Sequence, residues 1–379
     1  MSPQPATPQT ARAINDRAAL AAFDARGALT AGQLQEATGL ARPTVTELLG
    51  RLGSAGLVEQ IGEVGADRRG PNARLYALAG HRACVAGIDV RTDIVYMTVI
   101  DLAGRTLAER AAPIEPGTAT PAALDTVTDV LAEAVSVSSA AGPLASVSIG
   151  MPGLINPVTG LARPVTADAG WHAELAQAVR ERTGLDPGAV TLDNEVNLAG
   201  IAEHRAIGPL GIDSFGLLWL GDFGVGASLV LDGVLRRGAS GGAGELGFLA
   251  VPGAGPQISP YDCTGGLYDL VRPAAVTDLA ARHGVKPTDV GHAPFRTQLA
   301  ERIALGAAAF ALVVDPGVVV LSGELGRLGG EPLADAVEQR LAAVCPVPTR
   351  VRTTAVPGNP ILTGAVATAL DRARTALWP

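Results

Sequence analysis

Hydrophobic and polar positions follow two different periods along this chain, and the change between them comes near residue 80. Before it, apolar residues recur every three or four positions, as in AINDRAALAAFDARG and ARPTVTELLGRLGSAG, which is the spacing of one helix face. After it, short apolar runs such as CVAGIDV and IVYMTVID are typical of buried strands. The pattern therefore predicts a helical head followed by an α/β body.

Start and stop signals divide the head into three helices. Thr30, with Gln33 three residues later, matches a capping box, and Gly39 suits the left-handed turn that ends a helix. The third helix follows in ARPTVTELLGRLGSAG, and two strand-like stretches, LVEQIGE and ARLYALA, then flank the basic, turn-rich segment VGADRRGPN. These elements predict a winged helix-turn-helix domain over residues 11–80.

The third helix and the wing carry the residues that we expect to contact DNA. The helix offers Arg42, Thr44 and Thr46 opposite its apolar face, and the wing tip is rich in arginine. Guanidinium groups bind phosphates and guanine edges, and threonine hydroxyls bind base edges. The expected contact residues are Arg42, Pro43, Thr44, Thr46, Arg68, Arg69 and Asn72. A three-helix appendage used for protein contacts is the alternative, which this motif alone does not exclude.

Charge separates the head from the body. The first 80 residues hold eight arginines against seven acidic residues, whereas the remainder holds 21 basic against 30 acidic residues. An acidic body with a near-neutral, arginine-bearing head indicates that the two parts of the chain have different functions.

Composition sets limits on the class of protein. A chain of 379 residues is long enough for two or three domains. It contains no run of about 18 apolar residues, and its first residues lack the basic and apolar regions of an export signal. The three cysteines lie far apart, so no disulfide framework is predicted. We expect a cytoplasmic protein with no membrane partner.

The body repeats one order of elements. Three strands, a helix and further strands follow Val85, and a similar order restarts at Ser214. This duplication predicts two α/β lobes around a cleft, the architecture of sugar kinases and actin-like ATPases. The predicted lobes are residues 81–205 and 206–379, with the C-terminal helix a candidate to pack back on the first lobe. The fold class is thus α/β, a winged helix-turn-helix followed by a two-lobed actin-like ATPase or sugar kinase fold.

Four segments resemble the ROK family, named for its repressors, open reading frames and sugar kinases. TAGQLQEATGLARPTVTELLGRLGSAGLVEQIG with RRGP resembles the family's winged helix-turn-helix, although Ala41 stands where such proteins usually place a capping Ser. SIGMPGLINPVTGLAR resembles its Pro-Gly loop and hairpin, LDNEVNLAGIAE its Asn-Asp-Ala-Asn helix start, and GASGGAGELGF its Gly-Ala-Gly-Glu-x-Gly-His segment. Together, in this order and spacing, the segments are specific. The resemblance implies a transcriptional regulator, and we expect a repressor.

The residues that would hold ATP in a kinase of this family are replaced. Asp89 of the first hairpin is kept, and the family's catalytic Asp falls on Glu195, whose carboxylate is one methylene further out. A carboxylate about 4 Å from a phosphate charge costs roughly 4 kcal/mol at an effective dielectric of 20. The replacing residues are Arg91, Thr92, Asp93 and Ile94 in the first hairpin, and Asp222 and Phe223 in the second phosphate loop. The resemblance therefore implies no catalytic residues and no enzyme activity.

The family's zinc ligands are also replaced, so no metal and no cofactor are expected. Phe248 stands at the family's histidine, and Cys263 is the one cysteine left of three in the following segment. A structural zinc needs four nitrogen or sulfur ligands.

The resemblance implies that part of the family's sugar site remains in this chain as a small-molecule pocket. Asn194 and Glu195 have an alternative reading, as the capping pair of the helix that follows them. Phe248 removes a polar contact but supplies a face on which a ring could stack. The expected ligand residues are Gly153, Asn194, Glu195, Glu245, Phe248 and Asp269.

The sequence thus predicts a homo-oligomeric regulator, a dimer or a tetramer, that binds double-stranded DNA at a pseudo-palindromic operator. A carbohydrate-like small molecule is the expected effector. Two alternatives stay open, an active sugar kinase with a regulatory head and a regulator that needs no ligand.

Overall fold

The computed structural model describes residues 8–65, 72–115, 117–163, 171–221, 224–255, 258 and 264–378. Its helices are α1 (Pro8–Arg26), α2 (Ala31–Thr38), α3 (Arg42–Ser54), α4 (Thr120–Val137), α5 (Leu175–Thr183), α6 (Glu195–Ile207), α7 (Tyr268–Val271), α8 (Pro273–Arg282), α9 (Ala293–Val313), α10 (Gly323–Val344) and α11 (Pro360–Leu377). Its strands are β1 (Leu29–Thr30), β2 (Val58–Val64), β3 (Ala73–Leu78), β4 (Cys84–Val90), β5 (Ile94–Asp101), β6 (Thr106–Pro113), β7 (Leu144–Met151), β8 (Leu154–Ile155), β9 (Ala162–Arg163), β10 (Val190–Asn194), β11 (Phe215–Gly221), β12 (Gly224–Leu231), β13 (Val234–Leu235), β14 (Val318–Ser322) and β15 (Arg350–Thr353).

The head has the predicted winged helix-turn-helix fold. α1, α2 and α3 pack around one apolar cluster, and β1, β3 and β2 form a three-stranded sheet in that order. The capping box is present, because the side chain of Thr30 accepts from the backbone of Gln33 and the Gln33 side chain accepts in return. Gly39 ends α2 in the left-handed conformation with φ of 70°. At Ala41 the N-terminus of α3 has no side-chain cap.

The body contains two sheets of the same topology. The first has the order β10-β7-β4-β5-β6 and the second the order β13-β12-β11-β14-β15. In each, three antiparallel strands form a meander, and two further strands extend the sheet in parallel on the other side of its first strand. The internal duplication seen in the sequence is therefore a duplication of fold.

Two helices, α6 and α11, lie between the structural halves of the body. α11 packs against α6 and against β4 and β7 of the first sheet, while α6 also contacts β12 of the second. The two helices approach closely at Gly364, where an added Cβ would lie 1.9 Å from the backbone oxygen of Leu198. On the outer faces, α4 packs on β5 and β6, and α9 and α10 pack against the second sheet.

Two helix starts differ from the sequence pattern. The spacing in WHAELAQAVRERTG predicts a helix from Trp171, but α5 begins at Leu175. Trp171 and His172 are both buried in a short turn before it, and their rings pack edge to face at 4.2 Å. The apolar run in VVVLSGEL predicts one strand, but that strand ends at Ser322, since Gly323 adopts φ of 79° and begins α10. Within the described residues, no helix has the length and apolar character needed to cross a membrane.

Candidate functional site

Asn194 joins the end of β10 to the start of α6 and organises the centre of the candidate ligand site. Its side-chain oxygen accepts from the backbone nitrogens of Val196 at 2.9 Å and Asn197 at 3.3 Å. Its Nδ2 donates to the backbone oxygen of Gly153 at 3.2 Å and to Oε2 of Glu195 at 2.7 Å. The capping interpretation is therefore correct, and the same side chain still ties the cap to two expected ligand residues.

Glu195 is placed by that cap among other carboxylates. Burial raises the pKa of Glu195 to about 8, and the negative charges of Glu245, Asp89 and Asp193 add to the rise, while a backbone hydrogen bond opposes it. At neutral pH this carboxyl group is mostly protonated. Glu195 therefore offers a protonated carboxyl group to the site, and its Oε2 accepts from Nδ2 of Asn194.

Glu245 reaches the same region from the second half of the body. The loop before it packs on the hairpin after β7, where a Cβ on Gly241 would lie 2.1 Å from the backbone oxygen of Ile155. The pKa of Glu245 is also raised by burial, although its side chain keeps contact with solvent. Gly153, Asn194, Glu195 and Glu245 are thus brought together by segments from both halves.

Phe248 and Asp269 belong to a neighbouring segment. Phe248 ends the short 3-10 turn Leu246–Phe248, which packs against Gly266 just before α7. Asp269 lies in α7 and pairs with Arg272 at 3.8 Å. Within the described residues, no hydrogen bond or ion pair joins Phe248 or Asp269 to Asn194 or Glu195, so their membership of the site stays a prediction.

A buried charge cluster occupies the first hairpin, where the ATP phosphates of a kinase would be held. Oδ2 of Asp89 accepts from Nε of Arg91 at 3.0 Å and from Nδ2 of Asn359 at 2.7 Å. The Arg91 guanidinium also lies over the ring of Tyr96, 5.0 Å from its centroid. Burial raises the pKa of Asp89, and the charge of Arg91 and the hydrogen bond from Asn359 oppose that rise. Of the second phosphate loop, Asp222 and Phe223 lie outside the described residues.

Two partners in these clusters come from distant parts of the chain and were not predicted. Asn359 caps α11 and donates a hydrogen bond to Asp89. Arg237 donates two hydrogen bonds to Asp193, at 3.0 and 2.6 Å. Asp193 in turn accepts from Nδ2 of Asn197 at 3.0 Å. The one local sequence signal for such a partner was Asp193 itself, a carboxylate directly before the helix cap Asn194.

Two residues stand at positions where the family places zinc ligands, namely Phe248 and Cys263. Phe248 stands in the 3-10 turn at the family's histidine position, and Cys263 lies outside the described residues. Among the residues with a described structure, no group of three or more His, Cys, Asp or Glu side chains is arranged to hold a metal ion.

The candidate DNA-binding face is the start of α3. Val45, Leu48, Leu49 and Leu52 are buried against the rest of the head, whereas Arg42, Pro43 and Thr46 are exposed and Thr44 is half-buried. The hydroxyl of Thr46 returns a hydrogen bond to the backbone oxygen of Arg42 at 3.1 Å. Asn72 is exposed at the base of the wing, and Arg68 and Arg69 lie outside the described residues.

Comparison with known proteins assigns both parts of the chain. The sequence profile of the ROK family matches residues 85–266, and that of the IclR helix-turn-helix domain matches residues 18–62. The chain thus contains a ROK family domain, preceded by an IclR-type helix-turn-helix near its N-terminus.

Two curated relatives are similar to this chain over part of their length. A putative xylose repressor of Caldicellulosiruptor sp. (strain Rt8B.4) is 25% identical over 225 residues, which are 59% of this chain and 55% of the relative. An N-acetyl-D-glucosamine kinase of Pasteurella multocida is 28% identical over 227 residues, 54% of this chain and 73% of the kinase. The chain thus spans about half the length of the putative repressor it matches.

Solved structures show the same fold. A ROK family transcriptional regulator, described as a homologue of the E. coli MLC protein, covers 96% of this chain and 97% of its own, with a TM-score of 0.71 at 19% identity. A ROK family glucokinase from Streptomyces griseus, solved with glucose and AMPPNP, covers 76% of this chain with a TM-score of 0.61 at 20% identity. The regulator therefore matches head and body, whereas the kinase covers about three quarters of the chain.

Proposed function

We propose that this protein is a DNA-binding transcriptional repressor whose ROK body binds a carbohydrate-like molecule and holds two or more chains together without kinase activity. The observation that carries the proposal is the orientation of α3. Its apolar side is buried in the head, and its first turn presents Arg42, Pro43 and Thr46 to solvent. In helix-turn-helix proteins, the N-terminal residues of the second helix contact base edges in the major groove.

The relatives support a repressor over other regulators. Two of them are named xylose repressors, one with the prefix putative, and both are from Caldicellulosiruptor. The kinase structures resemble this chain over its body, and a regulator structure resembles it over almost its full length. The resemblance to the regulator structure includes the helix-turn-helix head, which supports a role in DNA binding.

The first hairpin supports the absence of kinase activity. Arg91 is bound to Asp89 and stacked near Tyr96, so a guanidinium group fills a position where small residues would let backbone amides meet phosphate oxygens. Glu195, with its pKa raised to about 8, is mostly protonated at neutral pH and is a poor proton acceptor for a sugar hydroxyl. A coupled assay should find no sugar-dependent ADP release above that of a Glu195→Ala variant.

The group formed by Gly153, Asn194, Glu195 and Glu245 supports a ligand with several hydroxyls. It offers a carboxylate acceptor, a protonated carboxyl donor and a backbone carbonyl from both halves of the body. Such a set pairs well with a polyhydroxyl ligand, because each buried polar group costs free energy when it has no partner. Phe248 and Asp269 extend the proposed site. The names of the relatives make D-xylose the first probe.

Two heads on one DNA site are needed because one head offers few contacts. The head is nearly neutral overall, so its DNA binding rests on a small number of arginines rather than on a broad cationic surface. A symmetric dimer doubles those contacts and reads two half-sites, which predicts a pseudo-palindromic operator.

A binding titration tests the DNA-reading role. Fluorescence anisotropy of the full chain on the DNA upstream of its own gene should show a clear preference over random DNA. Arg42→Ala should weaken specific binding by about 1–3 kcal/mol if the contact is to a base edge. Arg69→Ala should weaken binding more evenly across sequences and flatten its salt dependence.

The matched control for this titration is Arg26→Ala. Arg26 is an exposed arginine at the end of α1, away from the start of α3, so its loss changes net charge equally. Equal losses for Arg42→Ala and Arg26→Ala, or no preference over random DNA, would reject sequence reading by α3.

A further inference from the structure

A cavity of about 680 Å³ lies on the outer edge of the first sheet, beside β10. Its walls are the hairpin of β8 and β9, helix α5, strand β10 and the last third of α11. Charged and polar side chains of these four elements line it, together with Arg237 from the segment after β13. Those of the four elements are Asn156, Thr159, Gln177, Arg180, Thr191, Asp193, Thr368 and Arg372.

The cavity has an excess of positive charge within an acidic body. Three arginines line it against one acidic side chain, Asp193. That carboxylate is fully engaged, because Oδ2 accepts twice from Arg237 and Oδ1 accepts from Nδ2 of Asn197. Among the residues that the structure describes, the side chains of Arg180 and Arg372 form neither an ion pair nor a hydrogen bond. Two guanidinium groups thus face one cavity, and no described carboxylate pairs with either of them.

One hydrogen-bonding group near these arginines has no partner among the described residues. Oγ1 of Thr191 is buried and has no hydrogen-bond partner among the described residues. A buried hydroxyl without a partner costs free energy, so a ligand that forms a hydrogen bond with it removes that cost. A volume of about 680 Å³ lies within the range of small-molecule pockets.

The cavity is separate from the proposed sugar site, although the two share a wall. Asn194 and Glu195 do not line it, and Asp193, the residue before them, does. Asp193 fixes the first turn of α6 through Asn197. A ligand here would therefore lie against the residue that supports the sugar site, and against α11.

We propose that this cavity binds a small phosphorylated molecule with a polar body, as a second ligand site. A phosphate group matches two or three guanidinium groups, because each presents a planar fork of N–H donors to oxygens of a dianion. The hydroxyl and amide groups around the arginines suit the hydroxyls of the rest of the molecule. This site requires neither the DNA-binding role nor the sugar site proposed above.

Isothermal titration calorimetry at fixed ionic strength tests the proposal on the full chain. The probes are glucose 6-phosphate, inorganic phosphate and glucose. Glucose 6-phosphate should bind saturably, inorganic phosphate more weakly, and glucose should not bind at this cavity. Arg180→Ala and Arg372→Ala should each weaken glucose 6-phosphate binding about tenfold or more, the loss expected for a hydrogen-bonded charge pair.

Two control variants separate this site from general charge effects and from the sugar site. Arg182→Ala removes an exposed arginine of the same helix α5 that pairs with Asp129 at 2.9 Å, outside the cavity. Glu245→Ala changes the sugar site and shows whether glucose 6-phosphate binds there instead. Arg182→Ala should keep the affinity of the unchanged protein for glucose 6-phosphate.

Three outcomes would overturn the proposal. The first is the absence of saturable binding by either phosphate compound. The second is binding that Glu245→Ala abolishes and Arg180→Ala leaves unchanged, which would place the anion in the sugar site. The third is a loss of DNA binding in both arginine variants with no small-anion binding, which would assign these arginines to DNA phosphates.

Discussion

Arg374 of the last helix forms a 2.8 Å ion pair with Asp24 of the first helix. The Arg374 side chain is almost fully buried, and it also donates from Nε and Nη2 to the backbone oxygen of Leu102, at 3.3 and 2.9 Å. Its guanidinium lies 5.1 Å from the ring centroid of Trp378, which packs on the apolar cluster of the head. One side chain thus holds the head, the first sheet and α11 together.

Removing this arginine should loosen the head from the body. We expect Arg374→Ala to lower the free energy of unfolding by roughly 1–3 kcal/mol, because the Leu102 carbonyl and Asp24 both lose a charged donor. Asp24→Ala should cost less, about 0–1 kcal/mol, since Asp24 is half-exposed and Arg374 keeps its carbonyl partner. Thermal melting of both variants measures the difference. Asp371→Ala, a change in the same helix α11 that breaks an exposed pair with Arg205 of α6, is the control and should change little. A larger loss for Asp371→Ala than for Arg374→Ala would contradict this account.

Glu195 should make the protein less stable as pH rises. Its folded pKa of about 8 lies above the ordinary carboxyl value, so between those values the folded state holds a proton that the unfolded state has lost. Stability from this group is therefore complete below the ordinary pKa and falls as pH rises towards 8. Glu195→Gln removes the titration, so its melting temperature relative to the unchanged protein should rise between pH 5 and pH 8, by roughly 2–4 °C for each kcal/mol.

The control for this pH series is Glu174→Gln, which removes an exposed carboxylate next to α5. The difference between Glu174→Gln and the unchanged protein should stay flat across the series. If the Glu195→Gln difference were equally flat, the carboxyl group would not be held protonated by the fold.

Gly364 should tolerate no side chain, because α6 and α11 touch there. A Cβ would lie 1.9 Å from the backbone oxygen of Leu198, and backbone cannot rotate away as a side chain can. We expect Gly364→Ala to destabilise the protein by about 1–3 kcal/mol or more. Gly50→Ala in α3 is the matched helical control, since nothing lies within 4 Å of the added Cβ. It should be neutral or stabilise by about 0.5–1 kcal/mol. Equal melting temperatures for the two variants would mean that the helices are further apart.

Glu245 should be required for any sugar response. D-xylose and D-glucose serve as probes, and a melting shift produced by either should disappear in Glu245→Ala, because a buried hydroxyl would lose its acceptor. Glu324→Ala, a change at the N-terminus of α10 outside the group around Asn194, is the control and should keep the shift. An unchanged shift in Glu245→Ala would move the sugar site elsewhere.

Much of the fold could be predicted because its signals are local. β4 and β5 begin and end where the apolar runs CVAGIDV and IVYMTVID do, and the Thr30 capping box and Gly39 fix both ends of α2. Each depends on residues within a few positions of one another. The repeated order of elements along the chain predicted two similar lobes, and the two sheets do share one topology.

The partners of the buried charges could not be predicted, because they are not local. Asn359 meets Asp89, and Arg237 meets Asp193, only once both halves of the body have folded. The burial of individual apolar residues could not be predicted from local spacing either. Ile14 fits the helical spacing of α1, yet its side chain is 60% exposed, whereas Leu20 and Phe23 of the same helix are buried. A period marks the helix, but it does not say which apolar residues find a core.

The contact of Trp378 and Arg374 with the head has a consequence for how the protein is made. On a ribosome the three helices of the head are synthesised before the body, and their apolar cluster then still lacks the indole that α11 contributes. That indole arrives after both sheets of the body have been synthesised. The head is thus made before the body but completed after it, so a chain that stopped before α11 would carry a head without Trp378.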